Sequence, residues 1–289
     1  MSRVSASLAV TAVLLASSLR LPAESSLAKA EQLYQRTEYE ASLALLDKHA
    51  SDAATSFLIG RNYFMIGDFK KSTDYLQRAT EANPKSGEYM DWLGRAYGKR
   101  AETSSNPFTA PALATKARQA FEKSVQLDPK NADALSDLFD YYLDAPGFLG
   151  GGYDKAEAVA DKIAAIDPPE GFYERAKLAQ KRKEFDSAEE HLREFVQATP
   201  GKIAGLLEYA KFLANQGRTK ESDALLARAQ RIKPDAPTIL YTRADLLIRQ
   251  KRNLSEAKDL LQKYLRSPIT ADDPPKQEAQ RLLKQIRGA

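Results

Sequence analysis

Apolar side chains recur along this chain at spacings of three and four, in short runs that a glycine or proline then closes. The clearest unit is 53–84, AATSFLIGRNYFMIGDFKKSTDYLQRATEANP. Large residues at Ile59, Tyr63, Phe69 and Leu76 alternate with small ones at Gly60, Ser72 and Ala79. The pattern breaks at Gly67-Asp68 and stops at Pro84. Two short helices joined by a tight turn are predicted there.

The same grammar returns along most of the chain. Leu27, Ala30, Leu33 and Tyr34, then Tyr39, Ser42, Leu43 and Leu46, make an atypical first pair. The third unit opens on GEYMDWLGRAYGK, and its second helix comes late, around Ala117, Phe121 and Ser124. Between them lies an insertion at 100–111, RAETSSNPFTAP, rich in turn-forming residues. The fourth unit carries a glycine-rich bridge at 146–152, PGFLGGG. Units are expected near 24–50, 53–86, 87–131, 132–168, 169–202, 203–236 and 237–269, with a capping helix at 274–289.

Small residues permit close backbone approach where two helices cross, and the Leu, Phe and Tyr beside them fill the grooves. Gly60 with Ser72 and Ala210 with Ser222 are the expected crossing points. The closing prolines at 84, 129, 168, 200 and 234 are separated by 45, 39, 32 and 34 residues, and the two long gaps hold the two insertions. This spacing resembles the tetratricopeptide repeat, a helix–turn–helix unit of about 34 residues. The resemblance implies an all-α fold: a right-handed α-solenoid of about seven repeats, whose end helix shields the last apolar surface.

Residues 1–23 read as a secretory signal: Arg3 supplies the positive start, 8–19 is apolar or small throughout, and small residues near Ser17-Ser18 or at Ala23 offer cleavage points. Arg20 closes the apolar run before it reaches the roughly 20 residues a spanning helix needs. An uncleaved anchor is the alternative. No membrane span is expected in the mature chain, which places the protein in the periplasm or outside the cell. Composition adds exclusions. There is no cysteine, so disulfides, thiolate metal sites and cysteine nucleophiles are absent. The net charge of +4 falls to +2 without Arg3 and Arg20, with both signs interspersed, which argues against nucleic acid.

By repeat position, the resemblance implies that exposed residues of the first helices line a concave ligand face. These are Phe57, Arg61 and Phe64; Asp91, Arg95 and Lys99; Asp133, Asp140 and Asp144. The set continues with Tyr173, Lys177 and Lys181, then Leu207 and Lys211, then Tyr241, Asp245 and Arg249. Mixed charges with spaced aromatics suit a protein or an extended peptide. Asp133, Asp137, Asp140 and Asp144 form one acidic stripe, at a spacing where like charges disfavour a helix. Three things could offset it: lateral pairing with Arg95, Lys99, Lys177 and Lys181, a basic ligand segment, or a divalent cation.

Catalytic chemistry finds no support. His49 and His191 lie far apart, no Ser–His–Asp set can be assembled, and 146–152 lacks the Gly-Lys-Ser/Thr ending of a phosphate loop. The asparagines of the chaperone-tail clamp do not line up either. No cofactor or metal is expected. The resulting expectation is a non-enzymatic binding scaffold exported to the cell envelope. The alternative is a small-molecule or substrate-presenting subunit, with the Asp stripe and its basic neighbours forming a polar pocket.

Overall fold

The computed structural model describes residues 26–49, 51–270 and 273–287. The leader expected at 1–23 therefore lies outside the described residues. Those residues form fifteen α-helices, one short 3-10 turn at Gly147–Leu149 and no strand. The helices are α1 (Ser26–Gln35), α2 (Tyr39–Ala44), α3 (Ala53–Ile66), α4 (Phe69–Ala82), α5 (Gly87–Thr103), α6 (Thr109–Leu127), α7 (Ala132–Asp144) and α8 (Tyr153–Ile166). They continue as α9 (Pro168–Arg182), α10 (Phe185–Ala198), α11 (Ile203–Asn215), α12 (Thr219–Ile232), α13 (Pro237–Arg249), α14 (Leu254–Arg266) and α15 (Lys276–Arg287). The architecture is an all-α solenoid in which each odd-numbered helix up to α13 pairs with the helix that follows it.

Local chemistry sets the helix ends. Asp52, Asp68, Ser86, Asn131, Asp167 and Asn253 each accept a backbone N–H from their own first turn, satisfying a donor the helix leaves open. Five of the turns inside a pair share one geometry. A residue with positive φ (Thr37, Gly67, Lys183, Gly217 or Lys251) ends the first helix. The next residue then donates its N–H to a carbonyl five positions back. Where that residue is not glycine, the left-handed backbone costs about 1 kcal/mol.

The core is a string of overlapping clusters rather than a single centre. They run from Ala30 to Ile59, Phe57 to Leu178, Ala176 to Leu246 and Leu240 to Leu282. Each pair thus buries its neighbour's apolar stripe, as expected where no unit can close alone. At the crossing points Ser222 Oγ donates to the Ala210 carbonyl at 2.8 Å, and Ser42 Oγ donates to Ala30 at the same distance. Gly60 behaves differently. It faces Leu76 rather than forming this bond with Ser72, and a Cβ there would lie 2.6 Å from Leu76 Cγ. The equivalent Gly94 lies under the Phe121 ring at the same 2.6 Å. On α15, Ala279 and Leu282 are buried against the last cluster, so this helix covers the end of the core.

Both insertions differ from their sequence reading. Most of 100–111 is helical: α5 runs through Thr103, α6 starts at Thr109, and only 104–108 connect them. Pro111 sits in the first turn of α6, where its missing N–H breaks no hydrogen bond. The glycine-rich bridge is not a loose tether either. Leu149 N–H donates to the Pro146 carbonyl at 2.9 Å, Gly152 N–H to Tyr142 at 2.8 Å and the Tyr141 hydroxyl to Leu149 at 3.0 Å. Gly151 is required for this closure, since a Cβ there would fall 1.8 Å from the Ala145 carbonyl oxygen.

Candidate functional site

The first helices α1, α3, α5, α7, α9, α11 and α13 bring the expected residues onto one face, but that face has two regions of different character. Its N-terminal and central part is closed by the protein itself. Phe57 is buried, stacked on Tyr89 with ring centroids 4.3 Å apart, and is no exposed ligand contact. The correction has a simple cause: consecutive first helices touch, so the aromatic on α3 is spent packing against α5. Phe64 meets the edge of Trp92 at 5.5 Å and is half-buried. Arg61 is likewise occupied, its guanidinium 4.1 Å from the Tyr34 ring centroid, 5.1 Å from Trp92 and 3.3 Å from the Glu31 carboxylate. Cation–π contact and the ion pair together hold it against the aromatic cluster.

Next comes a ladder of charges running from helix to helix. Arg95 on α5 pairs with Asp91 one turn before it at 3.0 Å and with Asp137 on α7. Lys177 on α9 pairs with Asp140 on α7 and with Glu174 at 2.9 Å, and Lys181 reaches Asp144 at 2.5 Å. The acidic stripe on α7 is thus clamped from both sides, which offsets its self-repulsion. Two expected members stand apart: Lys99 pairs with Glu102 on its own helix at 2.7 Å, and Asp133 forms no ion pair among the described residues.

Asp91 is a second correction, because its side chain is only 5% exposed and cannot meet a partner. Burial, reinforced by the neighbouring Asp137 carboxylate, pushes the Asp91 carboxyl up to about 8. Burial also raises Asp140 and Glu174 above the usual carboxylate range, although Lys177 pulls both the other way. Sequence reasoning missed Glu174, which is 1% exposed and accepts the Ser136 hydroxyl at 2.7 Å. Its one available signal was its place three residues before Lys177. Tyr173 packs on Phe195 with centroids 5.4 Å apart, and burial raises its hydroxyl pKa.

The C-terminal part of the same face is open. A groove of about 800 Å³ runs between α11 and α13. Half-buried Tyr241 supplies apolar wall; Leu207, expected to be exposed, is buried like Phe57 and only backs the groove from the core, while Lys211, Lys233 and Arg249 with Glu208, Asp245 and Asp273 bring both signs of charge to its edges. The ion pairs here stay within single helices: Lys211 with Glu208 at 2.7 Å and Arg249 with Asp245 at 2.8 Å. None of them crosses from α11 to α13 to close the gap. Among the described residues no group of three or more His, Asp or Glu is placed to hold a metal ion.

Comparison with known proteins agrees with this architecture. Residues 173–237, which span α9 to α12, match the model for the tetratricopeptide repeat. That segment is a tetratricopeptide repeat, and the rest of the chain continues the same helix-pair solenoid. Its backbone is similar to a thermophilic TPR protein of Thermus thermophilus, at 20% identity and a TM-score of 0.55, over 65% of this chain and 97% of that one. A tetratricopeptide repeat protein from Parabacteroides merdae aligns over 91% of this chain and 97% of its own, at 14% identity and a TM-score of 0.57. A chain of the Cut9–Hcn1 hetero-tetramer of the APC/C matches over 90% of this chain and 48% of its own, at 14% identity and a TM-score of 0.51. At these identities the likeness is one of fold. No curated protein matches the chain in sequence.

Proposed function

We propose that this repeat protein is a non-enzymatic scaffold that binds an extended segment of another protein in the groove between α11 and α13. One observation carries the reading. This groove is the open part of the first-helix face, and it joins an apolar wall at Tyr241 to three cations and three acids at its margins, Lys211, Lys233 and Arg249 with Glu208, Asp245 and Asp273. An extended peptide placed there could bury one apolar side chain on the wall and meet Lys211 or Arg249 with an acidic neighbour. The small-molecule alternative places a polar pocket at the acidic stripe and its basic neighbours, where Arg95, Lys177 and Lys181 pair with Asp137, Asp140 and Asp144.

The proposal includes export to the cell envelope, supported by the charged start and apolar run of 1–23. Among the described residues no helix is long and apolar enough to cross a membrane. Cell fractionation with N-terminal sequencing tests export: a cytoplasmic location contradicts it, while an intact Met1 in the envelope selects the uncleaved anchor. Affinity capture tests the groove. Wild type should retain a partner that the Lys211→Ala/Arg249→Ala variant loses while it still unfolds cooperatively near the wild-type melting temperature. Equal capture by both proteins would overturn the assignment.

A further inference from the structure

Two phenylalanines stand out among the described residues, where the next most exposed large apolar side chain, Phe185, is 43% exposed. Phe108 is 89% exposed and Phe148 is 83% exposed. Each stands at the tip of a connection between the two helices of a pair, in adjacent repeats, so both project from the same edge of the solenoid. The 3-10 turn bearing Phe148 packs on α6, the helix that Phe108 introduces, with Gly150 close to Arg118. Neither tip is slack. Phe108 N–H donates to Asn106 Oδ1 at 2.9 Å, and Lys155 Nζ holds the Gly150 carbonyl at 2.8 Å.

Helix lengths raise the first tip above its neighbours. α5 has 17 residues and α6 has 19, against 14 each in α3 and α4. The extra three to five residues lift this hairpin by about 5–7 Å. Its outer part is cationic: between 99 and 118 lie Lys99, Arg100, Lys116 and Arg118 against the single acid Glu102. At its foot a hollow of about 650 Å³ has Ile66, Phe69 and Leu113 as apolar lining, with Lys70 and Arg100 at its margins. Neither of those two cations forms an ion pair among the described residues, whereas Lys71 and Lys99 beside them do.

We infer that this edge docks on the surface of an anionic lipid bilayer, with Phe108 and Phe148 entering the interface and Lys70 and Arg100 meeting lipid phosphates. Rings that stand clear at two connection tips need a medium that can close around them, and a fluid interface does so without two matched cavities. Free cations beside them are drawn to an anionic leaflet. The contact is peripheral and leaves the α11–α13 groove facing water, so it is independent of the partner reading above.

The chain has no cysteine, so single-site labelling is clean. Phe108→Cys, Phe148→Cys, Ile166→Cys and Ile232→Cys variants of the full chain would each carry an environment-sensitive fluorophore. The last two positions are exposed apolar sites at the opposite edge. Vesicles of phosphatidylcholine, with and without phosphatidylglycerol, would then be added. The inference predicts a blue shift and quenching by bilayer nitroxides at 108 and 148 only, and only with phosphatidylglycerol. Lys70→Glu/Arg100→Glu should weaken the response at 108 by roughly tenfold or more. Labels at 108 and 148 that stay water-like on anionic vesicles would overturn it, even if the protein sediments with them through another segment. An equal response on neutral vesicles would also overturn it. So would labels that respond only to lipid-free protein extract, an outcome that assigns the edge to a protein partner.

Discussion

The central and C-terminal parts of the first-helix face are built from the same residue types and come to opposite uses. In the centre, cations reach across to the next helix: Arg95 to Asp137, Lys177 to Asp140, Lys181 to Asp144. On α11 and α13 the cations pair within their own helix, Lys211 with Glu208 and Arg249 with Asp245. A cross-helix pair ties two repeats together and fills the space between them. A pair within one helix leaves that space to solvent and to a ligand. Charge on a repeat surface therefore says little about binding until the direction of its pairing is known.

The largest test of this difference removes one cation from each region. Lys177→Ala leaves Glu174 and Asp140 without their shared partner and should cost about 3 kcal/mol in urea unfolding, the scale of breaking a buried pair. If the cost were no larger than for an exposed cation, the ladder would not be structural.

A second test uses pH. The folded state holds a proton on Asp91 up to about pH 8, whereas an unperturbed aspartate loses it near 3.8. Folded protein thus binds more protons than unfolded protein across that window, and stability falls as pH rises through it. The raised Asp140 and Glu174 push in the same direction. Asp91→Asn should flatten the slope of melting temperature against pH, most clearly between pH 5 and 8 (order-of-magnitude limits set by the ordinary and shifted carboxyl ranges). An unchanged slope would mean that Asp91 is ionised in the fold.

Backbone strain gives a modest effect that lies outside both regions and so calibrates them. Lys183→Gly relieves a left-handed residue in an exposed turn and should stabilise by up to about 1 kcal/mol. Smallest of all is Arg249→Ala, expected to cost less than about 1 kcal/mol because the Arg249 side chain is 66% exposed, although its partner Asp245 is only 14% exposed. A loss as large as that of Lys177→Ala would erase the distinction between the two regions.

Much of the fold was legible in sequence because it rests on local rules. The 12-residue offset of Ala210 and Ser222 became a hydroxyl-to-carbonyl bond, and the boundary read at Pro168 became the first residue of α9. The 100–111 segment was harder: Ser, Asn and Pro there read as a loop, yet proline in a first turn favours the helix that tertiary packing then extends. The face was least legible. Repeat position placed Phe57 and Asp91 correctly on α3 and α5 but could not say that the adjoining helix would bury them. Glu174 drew no attention in the sequence, because its burial depends on Ser136, which α7 brings to it. Such outcomes depend on the distance between helices, which no spacing within one helix records.

The most direct test of the two-region account is site-specific photocrosslinking in cells, with a photoreactive residue placed in turn at Lys211, Arg249, Lys177 and Lys181. The account predicts one partner protein captured from Lys211 and Arg249, with none from Lys177 or Lys181. Capture from Lys177 and Lys181, with folded protein silent at Lys211 and Arg249, would contradict it.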